Sequence, residues 1–402
     1  MEATVDAPPE LPEDLLMGVF ASLEIPDLVR ASAVCTSWRS AYTTLRDLSN
    51  HKQPQTPCLL YTSESAGENV ACLYSLVEKR VYRLNLPEPP IRSRHIIGSS
   101  LGLLVTVDER PEMHLVNPIT GQQTALPSVL TFDQVQSVYY DCDESTRRVG
   151  LRILGRPHIF DPASFRDFFH RKALVFPDAS TAGGSFIVVL IHGPYDQLSF
   201  ARAGDDKWTS LPRHTGYQDC TYKDGLLYAV TLRAEVHAYD LTGPIVTMNI
   251  IKGDEEGRDI KGIYILQPPW GGMLLVWRSR YYADPETRVM NTTAIEVHQV
   301  DAATGRLVEI DCLDGHALFL GHNQSVCLGT KEYPSLKGNH AYLTDDHDWI
   351  VGRKNDPRYI GVHDMDSNNS KEYLASPQLY SNWPAPVWIT PNLTMMKPTW
   401  PN

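Results

Sequence analysis

Hydrophobic positions in the first fifty residues recur at helical spacing, and from about residue 56 onward they change to short strand-like runs. Pro12 opens the first helical segment where its missing N–H costs nothing, and Glu13 and Asp14 place negative charge on the first turn. Leu15, Leu16, Val19, Phe20 and Leu23 then follow the 3.6-residue period. Pro26 and Asp27 repeat the start signal ahead of Leu28, Val29, Ala31 and Val34, and Thr36 or Ser37 can cap a third segment carrying Trp38, Ala41, Tyr42 and Leu45. Only this stretch reads as helix. Three helices this short are each marginal alone, and some forty residues cannot bury all these side chains among themselves. Part of the apolar surface is therefore expected to await a cover. The pattern leaves open whether that cover is another protein or the chain's own second domain.

Beyond residue 56 the runs are broken by Gly, Pro, Asn and Asp, as strands are. One unit recurs: a glycine, an apolar strand, then a second strand ending in Asn or Asp, often with Thr-Gly soon after. It runs from Gly102 to Asn117 and Gly121, from Gly225 to Asp240 and Gly243, and from Gly272 to Asp301 and Gly305. Weaker copies run from Gly67 to Asn85, from Gly184 to Arg202, and from Gly338 to Asp366. Asn or Asp followed closely by Gly joins neighbouring antiparallel strands, the glycine taking the positive φ. Repeated four-stranded sheets arranged radially hide their edges, which predicts a mainly β chain: a small three-helix unit followed by a β-propeller. Six blades are expected, at roughly 57 residues each against the ~40–50 of shorter propeller repeats. The long interval between the second strands at 113 and 198 admits a seventh blade around Arg148–Leu154, or a loop.

Charge narrows the partners. The 402 residues carry a net charge of −12, and residues 1–48 hold eight acidic side chains against three arginines. Neither suits a nucleic-acid groove or an anionic membrane, so neither partner is expected. The longest apolar run, 186–191, is far short of the roughly 20 residues that span a bilayer. The acidic start lacks a secretory pattern, and seven scattered cysteines without a CxxC pair fit a reduced chain of the cytoplasm, the nucleus or both.

The string Leu11-Pro12-Glu13-Asp14-Leu15-Leu16, then Asp27-Leu28-Val29-Arg30, Val34-Cys35 and Trp38-Arg39, resembles the F-box. With Ile97-Gly98-Ser99-Ser100-x-Gly102, Asn117-Pro118-x-Thr-Gly121, the Gly338–Asp346 stretch and the closing Trp383–Pro391 segment, the whole chain is similar to plant F-box proteins with a KIB-type β-propeller. The resemblance implies an F-box over 8–48, a linker over 49–56 and a propeller over 57–402. It implies docking on a Skp-type adaptor of a cullin–RING ubiquitin ligase, with Leu11, Pro12, Leu15, Leu16, Leu28 and Val29 at the adaptor, Val34, Cys35 and Trp38 holding the helices together, and a propeller face gripping a protein client. The family's propellers diverge in their loops, so it names no client residues.

Other motifs are weighed against structural roles. Gly98–Gly102 satisfies the GxSxG pattern, but a strand rather than a helix follows, which favours a tight turn over a catalytic Ser100. Asp345, Asp346, His347 and Asp348 cluster carboxylates about a histidine, yet consecutive residues of an extended chain face opposite ways. Asp364-x-Asp366-x-Asn368 lacks the glycine and glutamate of a calcium loop. His114, His237, His298 and His363 recur at one repeat position, which marks a structural site in each blade. No catalytic residue, metal or cofactor is expected. The resemblance thus implies the non-catalytic substrate receptor of a ubiquitin ligase. The alternatives are a non-degradative F-box scaffold and a propeller that binds a small molecule or glycan, or hydrolyses one through Asp345, Asp346 or His347.

Overall fold

A computed structural model of the chain describes residues 11–47, 54–139, 147–178, 185–212, 215–243, 245–252, 262–282, 290–301, 303–346, 354, 358–367, 371–373, 381 and 383–393. His347, Asp348, Asn368 and the ends of the expected F-box and linker lie outside them. Helices α1 (Glu13–Phe20), α2 (Ile25–Ala31) and α3 (Thr36–Asp47) begin where the start signals stand: Pro12 caps α1, Pro26 lies in the first turn of α2, and Thr36 opens α3. Their core is Leu16, Phe20, Leu28, Ala41, Tyr42 and Leu45. Phe20 meets Trp38 edge-on at 5.4 Å.

The remainder is a succession of twisted sheets. The first contains β1 (Cys58–Thr62), β2 (Val70–Tyr74) and β3 (Val81–Asn85); the second β4 (His95–Ser100), β5 (Leu103–Val107), β6 (Met113–Val116) and β7 (Gln123–Ala125). A three-stranded sheet follows, β8 (Val135–Tyr139), β9 (Arg147–Ile153) and β10 (Arg156–Phe160), then helix α4 (Pro162–Phe169). The next sheet is β11 (His170–Pro177), β12 (Phe186–His192), β13 (Gln197–Arg202) and β14 (Thr209–Ser210); the next β15 (Tyr217–Lys223), β16 (Leu226–Thr231), β17 (Val236–Asp240) and β18 (Thr247–Lys252). After it come β19 (Ile263–Leu266), β20 (Leu274–Tyr282), β21 (Met290–Val300) and β22 (Leu307–Glu309). The last sheet has β23 (His316–Leu320), β24 (Val326–Gly329), β25 (His340–Leu343), β26 (Gly361–Asp364) and β27 (Lys371–Tyr373), with β23 and β25 parallel. Finally β28 (Val387–Ile389) returns to pair with β1, so the last described strand completes the first sheet.

This is the mainly β propeller that the repeats predict. Strands β4 and β11 lie so close that a Cβ on Gly98 would overlap the Ala173 carbonyl, which leaves the three-stranded sheet no place between them. That contact favours six blades over seven, with β8–β10 as an insertion outside the ring. The recurring Asn or Asp does what its chemistry suggests: Asn117 accepts from the amides of Ile119 (3.0 Å) and Thr120 (3.1 Å), Asp240 from Thr242 (2.8 Å), and Asp301 from Ala303 (2.9 Å). Gly121 and Gly305 then take φ of 72° and 65°. In the last sheet the role falls to Asp364 rather than Asp366, because β26 ends two residues earlier; its carboxylate accepts from the Asp366 amide at 3.0 Å.

Two further expectations change. Helix is not confined to the first fifty residues, since α4 forms where Asp161 accepts from the Ser164 amide (2.9 Å) and Pro162 occupies the first turn. It is held there by Phe165 and Phe169, stacked at 4.9 Å within the core shared with Val149, Leu151 and Val175. Val34 and Cys35 do not hold the helices together: both are exposed in the turn before α3, and the core role belongs to Phe20, Tyr42 and Leu45.

Candidate functional site

Three short helices have one inside, and α1 shows how it is divided. Leu16 and Phe20, four residues apart, turn towards α3 and are buried with Leu28. On the other side Leu15 and Val19, also four apart, are 56 % and 54 % exposed, with Leu11 at 54 % ahead of the helix and Val34 at 65 % in the turn after α2. Pro12 is exposed and Val29 half-buried. Of the six residues expected at an adaptor, Leu11, Pro12 and Leu15 therefore lie on the surface, whereas Leu16 and Leu28 are spent on the helical core. Gly18 lies on the exposed side, with nothing near the space a Cβ would fill. Sequence periodicity marked Val19 as apolar without marking it as surface, because helical spacing alone does not say which side of a two-sided helix faces its neighbours.

The helices are anchored to the first sheet through α2. Asp27 pairs with Arg80, whose guanidinium also donates to Glu78 (2.7 Å) and to the Tyr82 hydroxyl (2.7 Å). Arg80 and Arg30 stand over the Tyr82 ring at 4.3 and 5.0 Å, and Arg30 donates to the Arg83 carbonyl at 3.2 Å. Leu393, beyond β28, packs on the helical core. Glu24, buried beside this cluster, has its carboxyl pushed up by desolvation and by the charges of Glu78 and Asp27. The cluster joins residues fifty positions apart, so no local pattern announces it.

Inside the ring the inner strands carry a second polar group. Asp219 is fully buried and accepts from Lys172 (2.8 Å), Ser325 (2.8 Å) and the Ile265 amide (3.2 Å), and Lys172 also donates to the Gly321 carbonyl at 3.0 Å. Burial pushes the Asp346 carboxyl up, but Arg280 and Arg278 outweigh it and hold it well below the usual carboxylate range. Tyr264 donates to Asp346 at 2.9 Å. Lys172, Tyr264, Arg280 and Asp346 border a cavity of about 270 Å³. Asp346 is thus committed to two arginines, and among the described residues no three His, Cys, Asp or Glu side chains stand close enough to hold a metal ion.

Ser100 and two of the recurring histidines, His237 and His298, have partners within the fold. Ser100 ends β4, and its hydroxyl accepts from the Val175 amide at 2.6 Å, across the junction to β11. His237 meets the Tyr217 hydroxyl at 2.7 Å, and His298 stands edge-on to Trp277 at 4.2 Å. No described helix is long and apolar enough to cross a membrane.

Residues 9–45 match the F-box-like family and residues 73–364 the KIB1-4 beta-propeller family. The chain is 24 % identical to the F-box protein SKIP23 of Arabidopsis thaliana, with 94 % of this chain and 95 % of that protein covered. It is 22 % identical to the F-box/kelch-repeat protein At1g64840 of the same plant, with 85 % of each covered. Residues 46–72, with β1 and most of β2, lie between the two family matches, and the second runs from the end of β2 to the end of β26. The chain belongs to the KIB1-4 beta-propeller family and carries an F-box-like segment ahead of it.

Proposed function

We propose that this protein is the substrate-recognition subunit of a Skp–cullin–F-box ubiquitin ligase. The α1 surface docks on a Skp-type adaptor and the propeller holds a protein client. On this reading the chain makes and breaks no bond itself; it supplies proximity, holding a client lysine near a charged conjugating enzyme. The observation that carries the proposal is the apolar row Leu11, Leu15, Val19 and Val34, left in water although the helices have filled their own core. Relatives named as F-box proteins over almost the full length support the same role.

Co-expression with a Skp-type adaptor tests it. The wild-type chain is expected to elute as a 1:1 complex, and Leu15→Asp, which leaves the Leu16–Phe20 core intact, to elute alone with an unchanged unfolding midpoint. Failure of the wild-type chain to form the complex, or equal binding by the variant, overturns the assignment.

A further inference from the structure

The F-box-like helices join the ring through two segments, and both border one pocket. The chain enters the first sheet through Gln55 and Pro57, ahead of β1, and leaves it through Thr390, Pro391 and Asn392, after β28. Leu393, the next residue, packs on the helical core. These segments and the ends of β4 and β23 border a volume of about 220 Å³. That is more than the about 150 Å³ of a cavity that takes up benzene.

The walls are fixed in advance. The exit segment lies so tightly on the turn after β4 that a Cβ on Gly102, held at φ 76°, would come within 2.8 Å of the Asn392 amide nitrogen. Asn323, on another wall, belongs to the 321–325 connection, which is tied to three other blades. The Gly321 carbonyl accepts from Lys172 of β11 at 3.0 Å, the Gln324 amide donates to the Ser99 carbonyl of β4 at 2.7 Å, and the Ser325 hydroxyl donates to Asp219 of β15 at 2.8 Å. Walls held in this way cost a ligand little ordering.

The pocket is uncharged. No charged side chain among the described residues borders it, in a chain of which 21 % is charged. Phe319, Val326, Leu328 and Tyr333 give it apolar surface and pack in one cluster with Trp388. Several polar groups of its walls are already used. The Ser99 hydroxyl donates to the Trp388 carbonyl, Ser100 accepts from Val175, and the Asn323 amide nitrogen donates to the carbonyls of Phe319 (3.2 Å) and Gln324 (2.8 Å). The Trp388 indole is not used in this way: it is 1 % exposed, and its Nε1–H has no acceptor among the described residues. A buried donor without an acceptor is costly, and a molecule that brings one is held by it.

We infer that this pocket binds an uncharged small molecule of one aromatic ring bearing a carbonyl acceptor, the ring against Phe319 and Leu328 and the carbonyl oxygen on the Trp388 Nε1–H. A carboxylate is disfavoured, because it would lose water and meet no cation. The ligand touches both connecting segments at once, so its binding stiffens the joint between helices and ring. This site does not depend on which partner the helices meet.

The test titrates the full chain with benzamide, toluene and benzoate, followed by ligand-observed NMR. Benzamide is expected to bind with a Kd below about 10 mM, and toluene and benzoate about tenfold more weakly. Trp388→Phe keeps an aromatic ring at the junction and removes the N–H, so it is expected to bind benzamide and toluene equally. Leu328→Phe fills the pocket from the opposite wall and is expected to abolish binding in a chain that still unfolds cooperatively. Benzamide is also expected to slow amide exchange several-fold in residues 54–62 and 387–393 of the wild-type chain. Absence of saturable benzamide binding, equal binding of benzoate, a preference that survives Trp388→Phe, retained binding in Leu328→Phe, or exchange unchanged in both segments overturns the proposal.

Discussion

Glu24 shows how a single side chain can work against the fold that holds it. It precedes α2, its carbonyl accepts from the amides of Asp27 and Leu28, and its carboxyl is buried with Oε1 unpartnered among the described residues. Desolvation, reinforced by Glu78 and Asp27, raises its pKa, so the folded chain binds this proton more tightly than the unfolded chain does. The stabilisation is then fully present below the ordinary glutamate value near 4.5 and is lost as pH rises through the raised one. At neutral pH the ionised form is a burden. Glu24→Gln is therefore expected to raise stability by about 1 kcal/mol at pH 7, with the gain shrinking as the pH is lowered through the transition. Urea unfolding at pH 4 and pH 7 checks this, and a gain independent of pH contradicts it.

At the scale of elements, the strands were legible because the three clearest units repeat one chemical solution, glycine into a strand and Asn or Asp with a nearby glycine out of it. Helix α4 was missed for the opposite reason. Its start signal, Asp161-Pro162 with Ser164, is as good as that of α2, but Phe165, Phe168 and Phe169 read as strand when met between strand-like runs. The surface of the F-box-like unit was legible in part: Leu11 and Leu15 follow from the family resemblance, while the burial of Leu16 and Leu28 depends on how α1 is rotated against α3. The attachment of α2 to β3 was not legible at all, since Asp27, Arg80 and Tyr82 are partners only in the folded chain. Asp27 and Arg80 are partly exposed, so Arg80→Ala is expected to change global stability by less than about 1 kcal/mol. Its effect should be local. The double variant Asp27→Ala with Arg80→Ala is expected to accelerate amide exchange across α1 and α2 several-fold while β11 to β17 keep their protection. Unchanged exchange in the helices shows that other contacts fix the F-box-like unit on the ring.

The whole molecule depends on closure, because a ring of sheets is only as cooperative as its last junction. Composition and repeat spacing predicted the ring. They could not show that the three-stranded insertion sits outside it, which depends on Gly98 meeting Ala173 across 75 residues of sequence. Nor could they show that β28 travels back to the first sheet, where Leu59 pairs with Trp388 and Leu60 with Val387. Trp388 is buried edge-on to Phe319 (5.1 Å) and Tyr342 (6.1 Å) of the last sheet, and its carbonyl accepts from the Ser99 hydroxyl of the second. One short strand thus ties the first, second and last sheets together. Trp388→Ala removes the ring that fills this junction and is expected to cost about 3–5 kcal/mol. Ending the chain at Ser381 removes the strand altogether and exposes the unpaired edge of β1, so that protein is expected to aggregate or to lose its single cooperative transition. Urea unfolding followed by both tryptophan fluorescence and circular dichroism reads the two variants. Coincident curves for the truncated chain at the wild-type midpoint show that the ring closes without β28.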